Sequence, residues 1–560
     1  MVHTNPHASA EVPRAQVGQR ILRATGALML IKVFLLGFGY IEKRVISIYF
    51  GAESLADVYF AARRVAFVVF EVFDQVIMHS FLPVFVQRMR EHGERDAWKL
   101  ASTTLNLLLI ILALIAAGGI FFTPEVLRIF LPGWFSGPTG EQSELIRQVI
   151  PVTQVMLAAM VFLATSSLTY CLLNSYKQFA LPASADLVLK GTVLVFAVLL
   201  AKNWGPVALA AGFCCGALGK VLVHLVGLSR RMSNYRPSLH IQHPGLKQFG
   251  VLALPLIAGV AFSQLRKVMD TRFTSDLAGG SLSALDFAKA LCDIPVQFFP
   301  FVFGIALFPF LADIASAGDR QRLREMLMAA SRMMFIIFIP LALTFIVLRF
   351  PIIYGLYGSE KFGEEAVRLT AAPFTIFAIG MLIGALEIII LQFFFAMADT
   401  LRPTLVGMAM VPLHIAVGYL GVYHFQLGAT AIAIALFVSK GTKVVVLYGM
   451  IRSRLGDLGI SKLMTLLGKM AISLIPFVLI IFTAAYFLPG LLPPPSDVES
   501  IAGKLIALLP YGVTVGIGML FYFALLYILR VEEISLLIQR IRGKLRNDKK
   551  PELPTPAEPM

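Results

Sequence analysis

Residues 54–75 read SLADVYFAARRVAFVVFEVFDQ, apolar enough to cross a bilayer yet carrying Asp57, Arg63, Arg64, Glu71 and Asp74. The apolar residues decide the fold class, and the charges raise the functional question. A bilayer core of ~30 Å needs about 20 apolar residues in a helix. Runs of that length recur near 24–49, 56–86, 98–122, 147–173, 179–201, 205–228, 246–273, 281–312, 325–348, 367–398, 403–424, 427–451, 462–488 and 505–530. The chain is 58% hydrophobic with a mean hydropathy of +0.80, whereas soluble domains run near half apolar. The runs lack the alternation of ~10-residue barrel strands. The expected class is an all-α polytopic membrane protein of about 14 transmembrane helices.

The formal net charge of +15 does not imply nucleic-acid binding. Most Lys and Arg lie in short loops, where the positive-inside rule places them. Arg88, Arg90, Arg95 and Lys99 follow the second span, Lys177 the fourth, and Arg230, Arg231 and Arg236 the sixth. Arg320, Arg322 and Arg324 follow the eighth, Arg402 the tenth, and Arg452, Arg454 and Lys462 the twelfth. The intervening loops FGAESLAD, SDLAGGSLS and YHFQLG have no Lys or Arg, while Lys361 and Arg368 make a partial exception. An even number of spans with both termini cytoplasmic fits this bias. Residues 1–20 are polar, without the short apolar core and cleavage site of a removable signal. Cys171, Cys214, Cys215 and Cys292 all fall in apolar helices without metal-ligand spacing, and are expected as buried packing thiols.

The expected organisation is a cytoplasmic tail (1–20), an N-terminal lobe of spans one to six (21–228) and a linker (229–245). A C-terminal lobe of spans seven to twelve (246–453), spans thirteen and fourteen (454–530) and a basic tail (531–560) follow. The tail VEEISLLIQRIRGKLRNDKK reads either as an amphipathic helix on the inner leaflet or as a solvated extension. The lobes repeat each other: SLADVYFA at 54–61 echoes SLSALDFA at 281–288, a displacement of 227 residues from Ser54 to Ser281. FLPVF at 81–85 likewise echoes LFPFL at 307–311, and PVT at 151–153 echoes PFT at 373–375. Such an offset spans six helices, so the copies share one membrane orientation. Parallel repeats of this kind handle substrate between lobes.

Helical geometry sorts the charges into faces. Residues seven apart lie within about 20° of each other, so Asp57, Arg64 and Glu71 form one stripe and Arg63 and Asp74 a neighbouring one. The seventh span carries Ser263, Arg266, Lys267 and Asp270 on one face. The eighth carries Asp286, Lys289, Asp293 and Gln297, and the first Lys32, Glu42, Lys43 and Arg44. Each charge costs ~2.5–3.5 kcal/mol at a helix centre on insertion scales. Facing a watery cavity they are tolerable and useful. Competing readings are snorkelling for Glu42, Lys43, Arg44 and Arg63, and structural salt bridges for Arg266 with Asp270 and Asp286 with Lys289. Glu387 stands alone in GMLIGALEIIILQFFF, read either as a packed neutral acid or as a proton or Na+ coupling site. Asp186 and Lys190 are read as a structural i, i+4 pair. His79, His224 and His414 are scattered singly, so no metal site is expected. No Walker loop, HExxH or nucleophile elbow occurs, so neither an enzyme nor a cofactor is expected, and energy must come from a gradient or potential.

Several segments resemble the MurJ (MviN) lipid II flippase family of the multidrug/oligosaccharidyl-lipid/polysaccharide exporter superfamily. FGAESLADVYFAARR followed by FLPVF is similar to that family's opening lobe, and LLNSYKQFALPA (172–183) to its segment between spans four and five. GGSLSALDFAKALCDIPVQFFPFVFGIALFPFLA resembles its eighth span and FFFAMADTLRPT its element after the tenth. The likeness covers roughly residues 20 to 455. It implies two pseudo-symmetric six-helix lobes working by alternating access around a cationic cavity, with two further C-terminal helices forming a lipid-tail groove. The cavity would bind the headgroup of a polyprenyl-diphosphate-linked glycan in the bacterial inner membrane. Guanidinium and ammonium groups suit phosphate oxygens. The chain departs from the family pattern at Ala288-Lys289-Ala290, where the family has Ala-Asp-Arg, and at Ala66-Phe67 and Phe70-Glu71 in the second span. The family's first-span arginines fall near Leu36 and Glu42, with Lys43 and Arg44 adjacent, while Asp57 and Arg64 are retained.

The expected substrate-binding set is therefore Lys43, Arg44, Asp57, Arg63, Arg64, Glu71, Asp74, Arg266, Lys267, Asp270, Lys289 and Asp293, with Glu387 for ion coupling. The first functional reading is a flippase for lipid II or a related lipid-linked glycan. The alternatives are a cation-coupled exporter of small amphiphiles and a non-transporting scaffold that engages envelope synthases.

Overall fold

The computed structural model describes residues 14–136, 140–491 and 501–535. Among these the secondary structure is helical, with no strand. The order is α1 (Arg14–Phe50), α2 (Ser54–Val76), α3 (Leu82–Glu91), α4 (Glu94–Phe121), α5 (Thr123–Phe130), α6 (Pro132–Phe135), α7 (Gly140–Ser175), α8 (Ala180–Trp204) and α9 (Pro206–Leu228). There follow α10 (Pro244–Ser275), α11 (Ser281–Ser316), α12 (Arg320–Val347), α13 (Arg349–Tyr357), α14 (Glu364–Ala396), α15 (Leu401–Tyr419), α16 (Thr430–Leu455), α17 (Ile460–Leu491) and α18 (Ile501–Ile528). Among the described residues twelve helical stretches are long and apolar enough to cross a membrane. The 37-residue α1 and 36-residue α11 are comparably long. The short α5, α6 and α13 were not anticipated.

Proline shapes several of these helices. A π-helical turn at Ile77–Phe81 joins α2 to α3 just before Pro83, which has no N–H to continue the regular ladder. Pro340 inside α12 likewise leaves the Ile336 carbonyl without its usual donor, and the buried Tyr522 hydroxyl of α18 supplies one at 3.2 Å. A polar group stranded in an apolar helix bundle is thus satisfied from a neighbouring helix.

The chain forms two compact units. The first contains the described residues up to Ile294, with Tyr357–Pro373 and Gly407–Ser439. The second contains Pro295–Leu356, Phe374–Val406 and the described residues from Lys440 onward.

In the first unit, Phe81, Phe85, Trp98, Leu112, Leu168 and Cys171 centre a buried core contributed by α3, α4, α7 and the π turn. At its edge the Tyr176 hydroxyl donates to Glu94 at 2.6 Å and accepts from Trp98 at 2.8 Å, while Arg231 lies 3.8 Å over its ring. Burial and the Glu94 carboxylate push the Tyr176 phenol up to about 12, so it stays a donor through the physiological range. Helices α8 and α9 approach closely where Gly212 and Gly216 face Val193, Phe196 and Leu189. Phe60 of α2 and Phe287 of α11 are in direct edge-to-face contact, with centroids 5.7 Å apart.

Gly280 begins the approach to α11 at φ +85°, and a β-carbon there would run into the Ala52 carbonyl. Gly280→Ala is expected to cost at least about 2 kcal/mol, read as a lowered melting temperature in detergent. Gly318→Ala, with φ +71° but open space around it, should lose only the backbone share, about 1 kcal/mol.

In the second unit, Ile336, Phe477, Ile481, Tyr522 and Leu526 from α12, α17 and α18 make the core, joined by Val531 and Ile534. Glu533 is ion-paired with Arg332 of α12. The expected tail is thus docked over 531–535, while its basic stretch from 536 to 560 lies outside the described residues. Residues 1–13 of the expected N-terminal tail also lie outside them, and α1 already begins at Arg14. None of the four cysteines forms a disulfide, and only Cys171 and Cys292 are buried. Cys214 is partly exposed and Cys215 exposed, because α9 turns its glycine face, not its cysteines, toward α8.

Candidate functional site

The stripe on α2 faces α10 and α11, as its seven-residue spacing requires of one helix face. Asp57, 4% exposed, accepts the backbone N–H of Gly280 at 2.7 Å and of Ser283 at 2.6 Å. Arg64, two turns on, meets Asp286 of α11 at 3.3 Å. Glu71, two turns further, is ion-paired with Lys267 of α10 and accepts from Gln264 at 3.1 Å. The neighbouring stripe divides: Arg63 lies 3.7 Å from Glu42 of α1, while Asp74 accepts from Ser167 of α7.

The cations on α1 do different work. Lys43 places its ammonium 3.9 Å from the Phe60 ring centroid and 5.6 Å from that of Phe287. Cation–π attraction holds it without a carboxylate ligand. Arg44 is buried and donates to the Gly358 carbonyl at 2.7 Å, which removes the snorkelling reading for it. Lys289 is ion-paired with Asp293 one turn along α11. The two structural bridges considered for these helices are not formed: Asp286 takes Arg64, and Asp270 takes His414 of α15 at 2.6 Å. Arg266 has no hydrogen-bond or salt-bridge partner among the described residues.

Lys43, Arg63, Arg64, Glu71, Lys267, Asp286 and Lys289 form one electrostatic group. Asp286 sits in the fields of Arg64, Lys43, Arg63 and Lys289, and Lys267 in those of Glu71, Arg266 and Lys289. Their side chains are half-buried, from 23% exposed for Arg64 to 45% for Lys289. Asp57, Arg44, Asp74 and Asp270 point instead to backbone, α7 or α15.

Glu387, expected to be alone, is not. It lies 2.9 Å from Lys440 and 2.8 Å from Lys443, both on α16. The reading of a packed neutral acid does not fit a carboxylate held by two ammonium groups. The Asp186–Lys190 pair is also absent, since Asp186 takes Lys220 of α9 at 2.6 Å. His414, fully buried between Asp270 and Ser439, was missed because nothing local in its apolar helix marks a partner. Lys440 and Lys443 share a face at i, i+3 and were visible in FVSKGTKVVV, but their partner lies on another helix. Among the described residues no group of three or more His, Cys, Asp or Glu side chains is placed to hold a metal ion.

A family model for "Lipid II flippase MurJ" matches residues 46–496. The chain belongs to this family. MurJ proteins are flippase transporters rather than catalysts of a chemical reaction. A probable lipid II flippase MurJ of Bdellovibrio bacteriovorus is 26% identical over 521 residues, covering 90% of this chain and 96% of that one. The lipid II flippase MurJ of Burkholderia cenocepacia is 24% identical over 398 residues, covering 70% and 75%. The fold is similar to a solved lipid II flippase MurJ in its inward closed conformation, at TM-score 0.72 and 19% identity over 90% of this chain and 98% of that one. An inward-facing multidrug resistance MATE family transporter of the MOP superfamily matches at TM-score 0.63 and 12% identity, over 76% and 94%.

Proposed function

We propose that this protein translocates a polyprenyl-diphosphate-linked envelope glycan precursor, lipid II or a related lipid, across the bacterial inner membrane by alternating access. One observation carries the reading to the residue level. Charges from α1, α2, α10 and α11 form a single half-buried group in which, among the described residues, Lys43 lies on aromatic rings without a salt bridge and Arg266 has no salt-bridge partner. Such cations are costly in an apolar bundle unless an anion or water meets them. A phosphate-bearing headgroup provides that anion.

The lobes would be residues 21–228 and 246–453, joined by the linker 229–245, with both termini cytoplasmic as the loop charges suggest. With Lys440 and Lys443 against it, Glu387 reads as a fixed counter-ion, and coupling to H+ or Na+ at this carboxylate is the alternative for the same transporter. Envelope synthases are the partners that such a product would feed.

The test is reconstitution in proteoliposomes, following headgroup exposure of a labelled polyprenyl-diphosphate glycan. Arg64→Ala, Arg266→Ala and Lys289→Ala are each expected to slow flipping about tenfold or more, one charge-assisted contact being worth roughly 1.5–3 kcal/mol. Undiminished flipping in all three would remove the phosphate-clamp role from these residues. Flipping of none by the intact protein, with retained binding to synthases, would favour the scaffold.

A further inference from the structure

The loss of the expected Asp186–Lys190 pair leaves a cation to be explained. Asp186 is engaged by Lys220 of α9. Lys190 has neither a salt bridge nor a hydrogen bond among the described residues, although it is only partly exposed. Its ammonium lies against Gly39 of α1, so close that a β-carbon there would sit 2.9 Å from Nζ. Its electrostatic neighbours are Glu42, Arg63, Asp186 and Lys32. Lys190 therefore reaches the charged end of α1 from α8, across a glycine that leaves it room.

Charge balance there is uneven. Lys32, Lys43, Arg63, Arg64, Lys190 and Lys289 share these fields with the carboxylates Glu42, Asp186 and Asp286, so six cations meet three anions. Glu42 is shared loosely, at 3.7 Å from Arg63 and 3.4 Å from the Tyr59 hydroxyl. Neither distance is that of a closed ion pair. A diphosphate diester bears one negative charge per phosphate, as the nucleic-acid backbone does, and would offset most of that surplus. We propose that Lys190, released by the Asp186–Lys220 pair and seated against Gly39, is a diphosphate-binding residue of the α1–α2 charge group. The inference rests on the transport reading above for its substrate, but the anion site itself does not require that transport occur.

The experiment measures two quantities on the purified full chain: equilibrium binding of inorganic pyrophosphate, and flipping of a labelled polyprenyl-diphosphate glycan in proteoliposomes. Lys190→Ala is expected to weaken pyrophosphate binding about tenfold and to raise the half-saturating lipid concentration similarly, with Lys190→Arg restoring both. Gly39→Leu fills the space of the ammonium and should reproduce the alanine result. Lys220→Met acts through no contact with the anion: it frees Asp186 to take Lys190 one turn away, and should weaken binding in the same way. Unchanged melting temperatures in detergent exclude misfolding as the cause, and Lys220→Met keeps the test valid should Lys190→Ala fold poorly. If the intact protein binds pyrophosphate and Lys190→Ala binds it equally well, the inference is overturned while the transport reading stands. If the intact protein binds no pyrophosphate, the inference is also overturned. If binding depends on Lys190 but nothing is flipped, the anion site stands and the transport reading falls.

Discussion

Asp57→Ala is expected to remove about 3–5 kcal/mol of stability, seen as a fall of several degrees in melting temperature in detergent, whether or not lipid is present. The carboxylate is buried and gives its two oxygens to the N–H groups of Gly280 and Ser283. Those groups belong to the first turn of α11 and its approach, where N–H donors have no partner within the helix. Asp57 thus caps α11 from α2, and its negative charge meets the positive end of the helix dipole. Alanine would leave two buried donors unmet, and Asn, retaining one acceptor, should lose about half as much. Sequence reasoning placed Asp57 among the substrate-binding residues. The capping geometry instead predicts that Asp57→Ala changes stability and flipping together, with little change in the half-saturating lipid concentration of the protein that remains folded. A stable Asp57→Ala protein with weakened lipid binding would return the residue to the substrate set.

The spans were legible because length and apolarity alone specify a membrane helix. The face of α2 was legible too: Asp57, Arg64 and Glu71 all turn toward α10 and α11, as their spacing demands. Partners across helices were not. Periodicity fixes which residues share a face but leaves open what lies opposite. Asp186 shows the consequence. Its i, i+4 lysine was the obvious partner, yet Gly212 and Gly216 bring α9 so near α8 that Lys220 reaches it first. On α10, Lys267 and Asp270 were assigned to one face, and they are close enough in rotation for that. Even so, Lys267 turns to α2 and Asp270 to His414, because α10 is flanked on both sides. The repeat was read from three pairs of short segments, and that pattern alone says nothing of contacts such as the one between Phe60 and Phe287.

Glu387→Ala is expected to be the most damaging single change in the second unit, costing about 3–5 kcal/mol, because it strips a largely buried charge from two lysines. Glu387 is 12% exposed, Lys443 18% and Lys440 41%. Lys440 is less enclosed by protein, while Lys443 depends on the carboxylate. Removing Lys443 as well should therefore restore most of the loss, and Glu387→Met with Lys443→Met should be more stable than Glu387→Met alone by about 2 kcal/mol or more. The companion Glu387→Met with Lys440→Met should recover less. The same variants separate a counter-ion from a coupling site. A counter-ion that only neutralises two lysines can be removed together with one of them, and the rescued protein will flip lipid with its dependence on H+ or Na+ unaltered. A coupling carboxylate must bind and release its cation in each cycle, and no methionine pair replaces that. The rescued protein would then be stable and would no longer respond to the gradient. Two ammonium groups within 3 Å of one carboxylate favour the first outcome, since a transported cation would have to displace a fixed one that cannot leave.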